Sequence, residues 1–243
     1  MRPFLLIAAS LLALTAAPAR AEVRAREQFL SLGLGGAYPF TSRATIDTMH
    51  NVDLNENRLR DEIQTKEAIG GAGFSGFLQY TYHFVDYVGV GFEVQGAQFS
   101  VARHRPLGLT RQGVVKTDGG VIQGLAIARW VFRPSRKINP YLLTGVGFGG
   151  TSARVRFTPD GSNPWNSGTT EERLLYKRMS SGMAVAIAPG VQMQVGDKFL
   201  FGAEGRWAYN EVEINVLGSN NLETVRGFLW AGFKFGGDYL DYP

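Results

Sequence analysis

The chain has 243 residues, no cysteine, 31 glycines, and 25 Lys and Arg against 21 Asp and Glu, a formal charge of +4. The missing thiol excludes disulfide staples, thiolate zinc sites and cysteine catalysis. The near balance of charge, with no stripe of cations and interleaved aromatics, gives no basis for a nucleic-acid surface.

The first residues predict an export signal. Arg2 supplies a positive start, Phe4–Ala17 an apolar stretch, and Ala19-Arg20-Ala21 a small-x-small cleavage site. The apolar stretch is short for a spanning helix. Residues 1–21 are therefore expected to be a signal peptide and 22–243 a single domain of 222 residues (243 less 21). Losing Arg2 and Arg20 leaves 23 cations against 21 acids, a net charge of +2. After Ala21 there is no uncharged apolar run of about 18 residues, which excludes helical membrane spans.

Eight segments alternate with a period of two, the mark of a strand whose successive side chains point to opposite faces. The sequence predicts strands near 28–39, 68–84, 87–103, 113–133, 139–157, 175–195, 198–217 and 222–236. The first strand is followed by the longest connection, 40–67, which mixes Arg43, Asp47, Asp53, Glu56, Arg58, Arg60, Asp61, Glu62, Lys66 and Glu67 with few apolar residues. Such a mixture reads as a solvated surface. Strands two and three meet across Val85-Asp86 alone, four and five across residues 134–138, and six and seven across Gly196-Asp197. The intervening connections 104–112 and 158–174 are longer, the second carrying Trp165, while 218–221 is short. Short turns at one end and longer loops at the other are the rhythm of an outer-membrane barrel. Several predicted strands exceed the 9–11 residues or so that cross a bilayer, so they are expected to continue beyond it.

In the fifth strand Gly145-Val146-Gly147-Phe148-Gly149-Gly150 matches GxGxxG. The alternation continues past it with no helix signal, so glycine relief of a curved strand is the reading and not a dinucleotide site. In the last strand Val225, Gly227, Leu229, Ala231, Phe233 and Phe235 share one face, and Arg226, Phe228, Trp230, Gly232 and Lys234 the other. An apolar face backed by one that carries cations suits a strand between lipid and a polar lumen. The tail 236–243, GGDYLDYP, reads as a short appendage beyond the last strand.

Sorting every strand in this way sends Gln79, Thr81, His83, Glu93, Gln95, Gln123, Arg129, Gln192, Gln194, Glu204, Arg206, Arg226 and Lys234 to the lumen. Leu78, Tyr80, Val90, Phe92, Val185, Ile187, Leu229 and Ala231 face lipid. Glu93, Arg129, Glu204, Arg206 and Arg226 fall at similar heights and are expected to form a lumen charge network, with Glu93 or Glu204 as partners of Arg226. Buried charges need such compensation. Eight strands enclose a bore that side chains can fill, so the network is expected to act as a plug. Tyr82, Phe84, Tyr87, Trp130, Phe132, Tyr141, Phe199, Phe201, Phe233 and Phe235 collect at the short-turn ends and predict a periplasmic aromatic girdle.

The signal peptide, the first strand FLSLGLGGAYP (29–39), the hairpin LQYTYHFVDYVGVGFEVQG (78–96) and the last strand GFLWAGFKF (227–235) carry a resemblance. The chain resembles the small eight-stranded outer-membrane proteins, the OmpA/OmpX-type barrel superfamily. The resemblance implies an all-β, eight-stranded antiparallel up-and-down transmembrane β-barrel in the outer membrane of a Gram-negative-type bacterium. The periplasmic peptidoglycan-binding domain that some members carry is not expected here, since only the eight residues 236–243 follow the last predicted aromatic. The family mixes membrane-stabilising proteins, adhesins, narrow channels and lipid A-modifying enzymes, so the fold leaves the activity open.

No catalytic set emerges from the residues. The histidines are His50, His83 and His104, and none has ligand spacing for zinc. Ser100 and His104 share a strand face but are four residues apart, about 13 Å at strand rise and beyond hydrogen-bond reach. The expectation is a non-enzymatic barrel without metal or cofactor, serving envelope integrity or surface interaction through its loops. A narrow channel for ions or small solutes is the alternative, and a lipid A-modifying enzyme a lesser one. The expected partners are outer-membrane lipid and lipopolysaccharide, the barrel assembly machinery, and an extracellular partner at loops 40–67 and 158–174. The chain is expected to be a monomer that binds no nucleic acid.

Overall fold

The computed structural model describes residues 26–40, 44–47, 62–65, 70–104, 113–132, 137–159, 173–214 and 219–236. The signal peptide, most of the two large loops, Trp165 and the tail after Gly236 lie outside the described residues. The strands are β1 (Gln28–Phe40), β2 (Ala44–Asp47), β3 (Glu62–Thr65), β4 (Gly71–Val85), β5 (Val88–Ser100) and β6 (Ala102–His104). They continue with β7 (Gly113–Val131), β8 (Ile138–Pro159), β9 (Arg173–Val195), β10 (Phe199–Ile214) and β11 (Ser219–Phe235).

Each long strand pairs antiparallel with its neighbours in sequence, and β1 pairs with β11 along its whole length, from Gln28↔Phe235 to Phe40↔Glu223. The β5–β7 pairing completes the circuit. The result is a closed, eight-stranded, up-and-down antiparallel β-barrel formed by β1, β4, β5, β7, β8, β9, β10 and β11. Closure leaves no long sheet edge unpaired, a requirement in any medium that cannot hydrogen-bond a backbone. β6 continues the line of β5 past Val101 and keeps pairing with β7.

One connection differs from its sequence reading. Within the segment predicted as loop 40–67, Ala44–Asp47 and Glu62–Thr65 form an antiparallel pair in register Ala44↔Thr65 to Asp47↔Glu62. Thr45, Ile46, Ile63 and Thr65 are β-branched residues, which suit a strand and are too short a run to show against the surrounding charges. β8 and β9 span 22 and 23 residues, about twice what a crossing needs.

The alternation sorts the side chains sharply. Leu229 is 73% exposed on the outside, and Arg226, three residues earlier, is 1% exposed inside. Leu30, Leu32, Leu34, Phe74, Leu78, Phe92, Ile122 and Phe148 join Leu229 in an outward apolar belt. Inside, Phe29, Phe77, Leu125, Ile127, Val131, Tyr141, Leu143, Phe228 and Trp230 pack with alanines of β9 and β10. A sheet with an apolar outside and buried charges inside is inverted relative to a water-soluble barrel.

Glycine makes room for the inward rings. Gly33 faces Phe77 across β1 and β4, Gly190 faces Tyr141 across β9 and β8, and Gly202 faces Trp230 across β10 and β11. A Cβ at these three positions would lie 2.2, 2.4 and 2.3 Å from the respective ring. Ring and glycine thus form cross-strand pairs in which the aromatic covers the backbone that glycine exposes. The GxGxxG of residues 145–150 lies wholly within β8, with no helix following. There Gly145 accommodates Leu125 and Ile127, and Gly149 accommodates Asn210 and Gln123.

Candidate functional site

The site is the polar centre of the lumen, built from inward positions of seven of the eight barrel strands. On β10, Glu204 and Arg206 are two residues apart and so share the inner face. Glu93 and Gln95 take the same relation on β5. Arg226, Phe228 and Trp230 do so on β11, Gln123 and Arg129 on β7, and Tyr141 on β8.

Arg206 is the hub. One of its terminal nitrogens donates to Glu93 Oε1 and, at 2.7 Å, to Gln95 Oε1; the other donates to Glu93 Oε2 at 2.9 Å and Glu204 Oε1 at 2.5 Å. A guanidinium presents its donors in a fixed planar fork, which suits two carboxylates approached from different strands. Its face lies 5.1 Å from the Phe77 ring centroid and 5.3 Å from that of Phe228. Hydrogen bonds satisfy both terminal nitrogens, Nε has no partner among the described residues, and the rings cover the plane.

Arg226 reaches this hub through an amide. Its Nη1 donates to Gln95 Oε1 at 2.6 Å, the oxygen that also accepts from Arg206. Its Nη2 donates to Gln123 Oε1 at 2.9 Å and its Nε to Thr224 Oγ1 at 3.0 Å. The sequence expectation gave Arg226 a carboxylate partner, Glu93 or Glu204. Its hydrogen bonds go instead to amides and a hydroxyl, because Arg206 occupies both carboxylates from the adjoining strand.

Arg129 sits farther toward the short turns. It donates to Gln192 Oε1 at 2.6 Å and lies over Tyr141 and Trp230, 4.0 and 5.0 Å from their centroids. Trp230 Nε1 donates to Tyr141 Oη at 2.9 Å, and Tyr141 Oη donates to Glu204 Oε2 at 2.7 Å. A continuous polar chain therefore runs from Trp230 through Tyr141, Glu204, Arg206, Gln95 and Arg226 to Gln123. Beyond it, Lys234 pairs with Glu27 at 2.8 Å.

Tyr141 corrects the girdle reading. Predicted among the short-turn aromatics, it is 3% exposed inside the barrel. Its parity is that of Asn139 and Leu143, both buried inward, so the strand turns its ring away from the exterior. Phe84, Tyr87, Phe132, Phe199, Phe201, Phe233 and Phe235 are exposed on the outside, and Tyr82 and Trp130 are partly exposed. Phe233 contacts both Phe199 and Phe235, with centroids 5.7 and 6.4 Å apart.

Sequence reasoning placed Phe228 and Trp230 on the inner face of the last strand but gave the aromatic side chains no part in the site. Phe77, Phe228, Trp230 and Tyr141 interleave with the three arginines, yet only charge and amide chemistry marked the lumen. Parity also finds Phe77, which shares its face with Gln79 on β4.

Chemically, the arrangement compensates charge and holds side chains still. His83 is buried against Phe29, centroids 4.8 Å apart, and neither ring nitrogen has a hydrogen-bond partner among the described residues. Ser100 is exposed on the exterior, and the side chain of His104 lies outside the described residues. Among the described residues no group of three or more His, Asp or Glu side chains converges as a metal site.

No protein-family model and no curated protein sequence matches the chain. Solved structures do resemble it. Ail, the attachment invasion locus protein of Yersinia pestis, is 16% identical over 87% of this chain and 99% of its own, with a TM-score of 0.45. Neisserial surface protein A is 14% identical over 86% of this chain and 97% of its own, with a TM-score of 0.49. The outer membrane protein OprG from Pseudomonas aeruginosa is 17% identical over 90% of this chain and 100% of its own, with a TM-score of 0.45. The likeness is one of fold alone, and the barrel itself rests on the strand pairings above.

Proposed function

We propose that the chain is an exported outer-membrane barrel whose lumen is plugged by the Glu93–Arg206–Glu204 network. Residues 1–21 direct export and are removed. The protein makes or breaks no bond. It serves as a rigid support in the envelope that presents loops 40–67 and 158–174 at the surface, where an extracellular partner binds. The observation that carries this reading is the double anchoring of Arg206, whose edge is bonded to β5 and β10 and whose plane lies between Phe77 and Phe228. Side chains from opposite walls meet at that point, which supports a filled bore over an open one.

Planar-bilayer recording tests it. Wild-type protein is expected to give no unitary current, and Arg206→Ala to give small, flickering openings. Stable unitary currents from the wild type would overturn the plug in favour of a narrow channel. Lipid A mass spectra from cells with and without the protein test the absence of enzymatic action, with identical spectra expected.

A further inference from the structure

Outside the barrel, beyond the apolar belt toward the long connections, the sheet gathers positive charge on one side. Arg103 on β6 stands opposite Lys116 on β7, and Lys116 opposite Arg156 on β8. One step nearer the belt, Asp118 stands opposite Arg154, and Arg154 opposite Lys177 on β9. All six occupy outward positions; Arg103, Arg154 and Lys177 are exposed, and Lys116, Asp118 and Arg156 partly so. The patch therefore holds five cations and one carboxylate, a formal excess of four among its described residues. Asp118 is engaged, accepting from Arg156 at 3.3 Å with Arg154 at 4.0 Å.

Three of the four cross-strand charge pairs are like-charged. Such pairs repel at the short spacing of a sheet and lower its stability. An anion with several oxygens set among them reverses the sign of that interaction, and arginine forks match phosphate geometry. On these same strands the outward face nearer the short turns is apolar. Ile122 on β7 is 60% exposed, and Phe148 on β8 and Met179 on β9 are each 77% exposed. Met179 is only two residues from Lys177 and Ile122 four from Asp118. Toward the same end of β10 and β11 the outward charged residues among those described are instead Glu211 and Glu223, so the cationic field of the described residues is one-sided.

We propose that the outward face formed by Arg103, Lys116, Arg154, Arg156 and Lys177 binds the phosphorylated headgroup of a lipid whose chains lie along Ile122, Phe148 and Met179. This rests on the membrane-barrel reading above. The apolar surface adjoining the cations selects a lipid over a soluble polyanion, since only a lipid fills both parts at once. The patch gives the barrel a preferred lipid neighbour on one side and a fixed rotational setting in the leaflet.

The test uses wild type and the triple variant Arg103→Gln, Arg154→Gln, Lys177→Gln in phosphatidylcholine nanodiscs. Each is prepared with bisphosphorylated lipid A, with lipid A stripped of its phosphates, or with neither. Lipid retained by the protein is counted by mass spectrometry, and folding is checked by heat-modifiable gel mobility. A cation near an anionic membrane surface contributes about fivefold, so three together are expected to weaken lipid A retention about a hundredfold. Stripped lipid A is expected to bind no better to wild type than to the variant. Equal retention of lipid A by both proteins, or equal retention of stripped and phosphorylated lipid by wild type, overturns the proposal. So does inositol hexakisphosphate binding as tightly as lipid A to wild type in phosphatidylcholine alone. Should the triple variant fold poorly, Arg103→Gln and Lys177→Gln are each read singly for a loss of about fivefold. A wild-type barrel that folds in nanodiscs yet ignores lipid A refutes this inference alone; a chain that never inserts refutes the membrane reading.

Discussion

A buried guanidinium needs its charge compensated, and Arg206 has both terminal nitrogens bonded, to Glu93, Glu204 and Gln95. Removing it strands two carboxylates together in the bore. Arg206→Met is expected to cost about 3–5 kcal/mol, the usual penalty for breaking a buried pair from one side. Urea unfolding of the vesicle-inserted protein, followed by tryptophan fluorescence, measures it. Adding Glu93→Gln to Arg206→Met should recover part of the loss, since one fewer buried charge is left unpaired; a double variant weaker than the single would contradict the network as drawn. The inward glycines are a second residue-scale constraint. Gly202→Ala puts a methyl 2.3 Å from the Trp230 ring and is expected to cost about 1–3 kcal/mol by overpacking. Gly205→Ala on the same strand has nothing within 4 Å to meet and serves as the control, with little change expected in the urea midpoint.

At the scale of the element, each strand is a two-sided object, and the two sides answer to different solvents. Leu229→Arg places a cation on the outer face between Phe228 and Trp230, which face inward. It is expected to lose about 2–4 kcal/mol of stability in a bilayer. The same substitution should cost much less in water if the sheet were a soluble barrel, so a small effect would count against the belt. Pairing of β1 with β11 is what closes the sheet. The eight strands were legible to within a few residues because alternation is a local property. The β2–β3 pair was not, because four residues of weak alternation inside a charged segment leave no periodic trace. Tyr141 was misplaced for a related reason. Its closeness to a turn points to the girdle, whereas its parity on β8 turns its ring inside.

At the scale of the molecule, the loops stand on a closed wall. Deleting residues 44–66 is expected to leave heat-modifiable mobility intact while abolishing cell or matrix binding by whole bacteria expressing the protein. Loss of the mobility shift on deletion would mean that the β2–β3 pair takes part in folding the barrel. Membrane fractionation separates the barrel from a soluble lipid-binding calyx, with recovery in the outer-membrane fraction expected.

What the sequence by itself determined was local and repetitive: the period of two, which side of each strand was apolar, the number of strands, and the alternation of short and long connections. These properties need no knowledge of what lies across the sheet. What only the tertiary structure decided was partnership. The five charged residues were visible as a set, but their pairing depends on register accumulated around the whole circuit. That register gives Arg206 both carboxylates, hands Arg226 to Gln95 and Gln123, and lays Arg129 on Tyr141 and Trp230. The exterior cations follow the same rule. Each is an ordinary surface residue in its own strand, and only the alignment of β6, β7, β8 and β9 sets like charges side by side. Alternation is written into every strand separately, whereas the contacts that assign a role to a side chain are properties of the closed barrel.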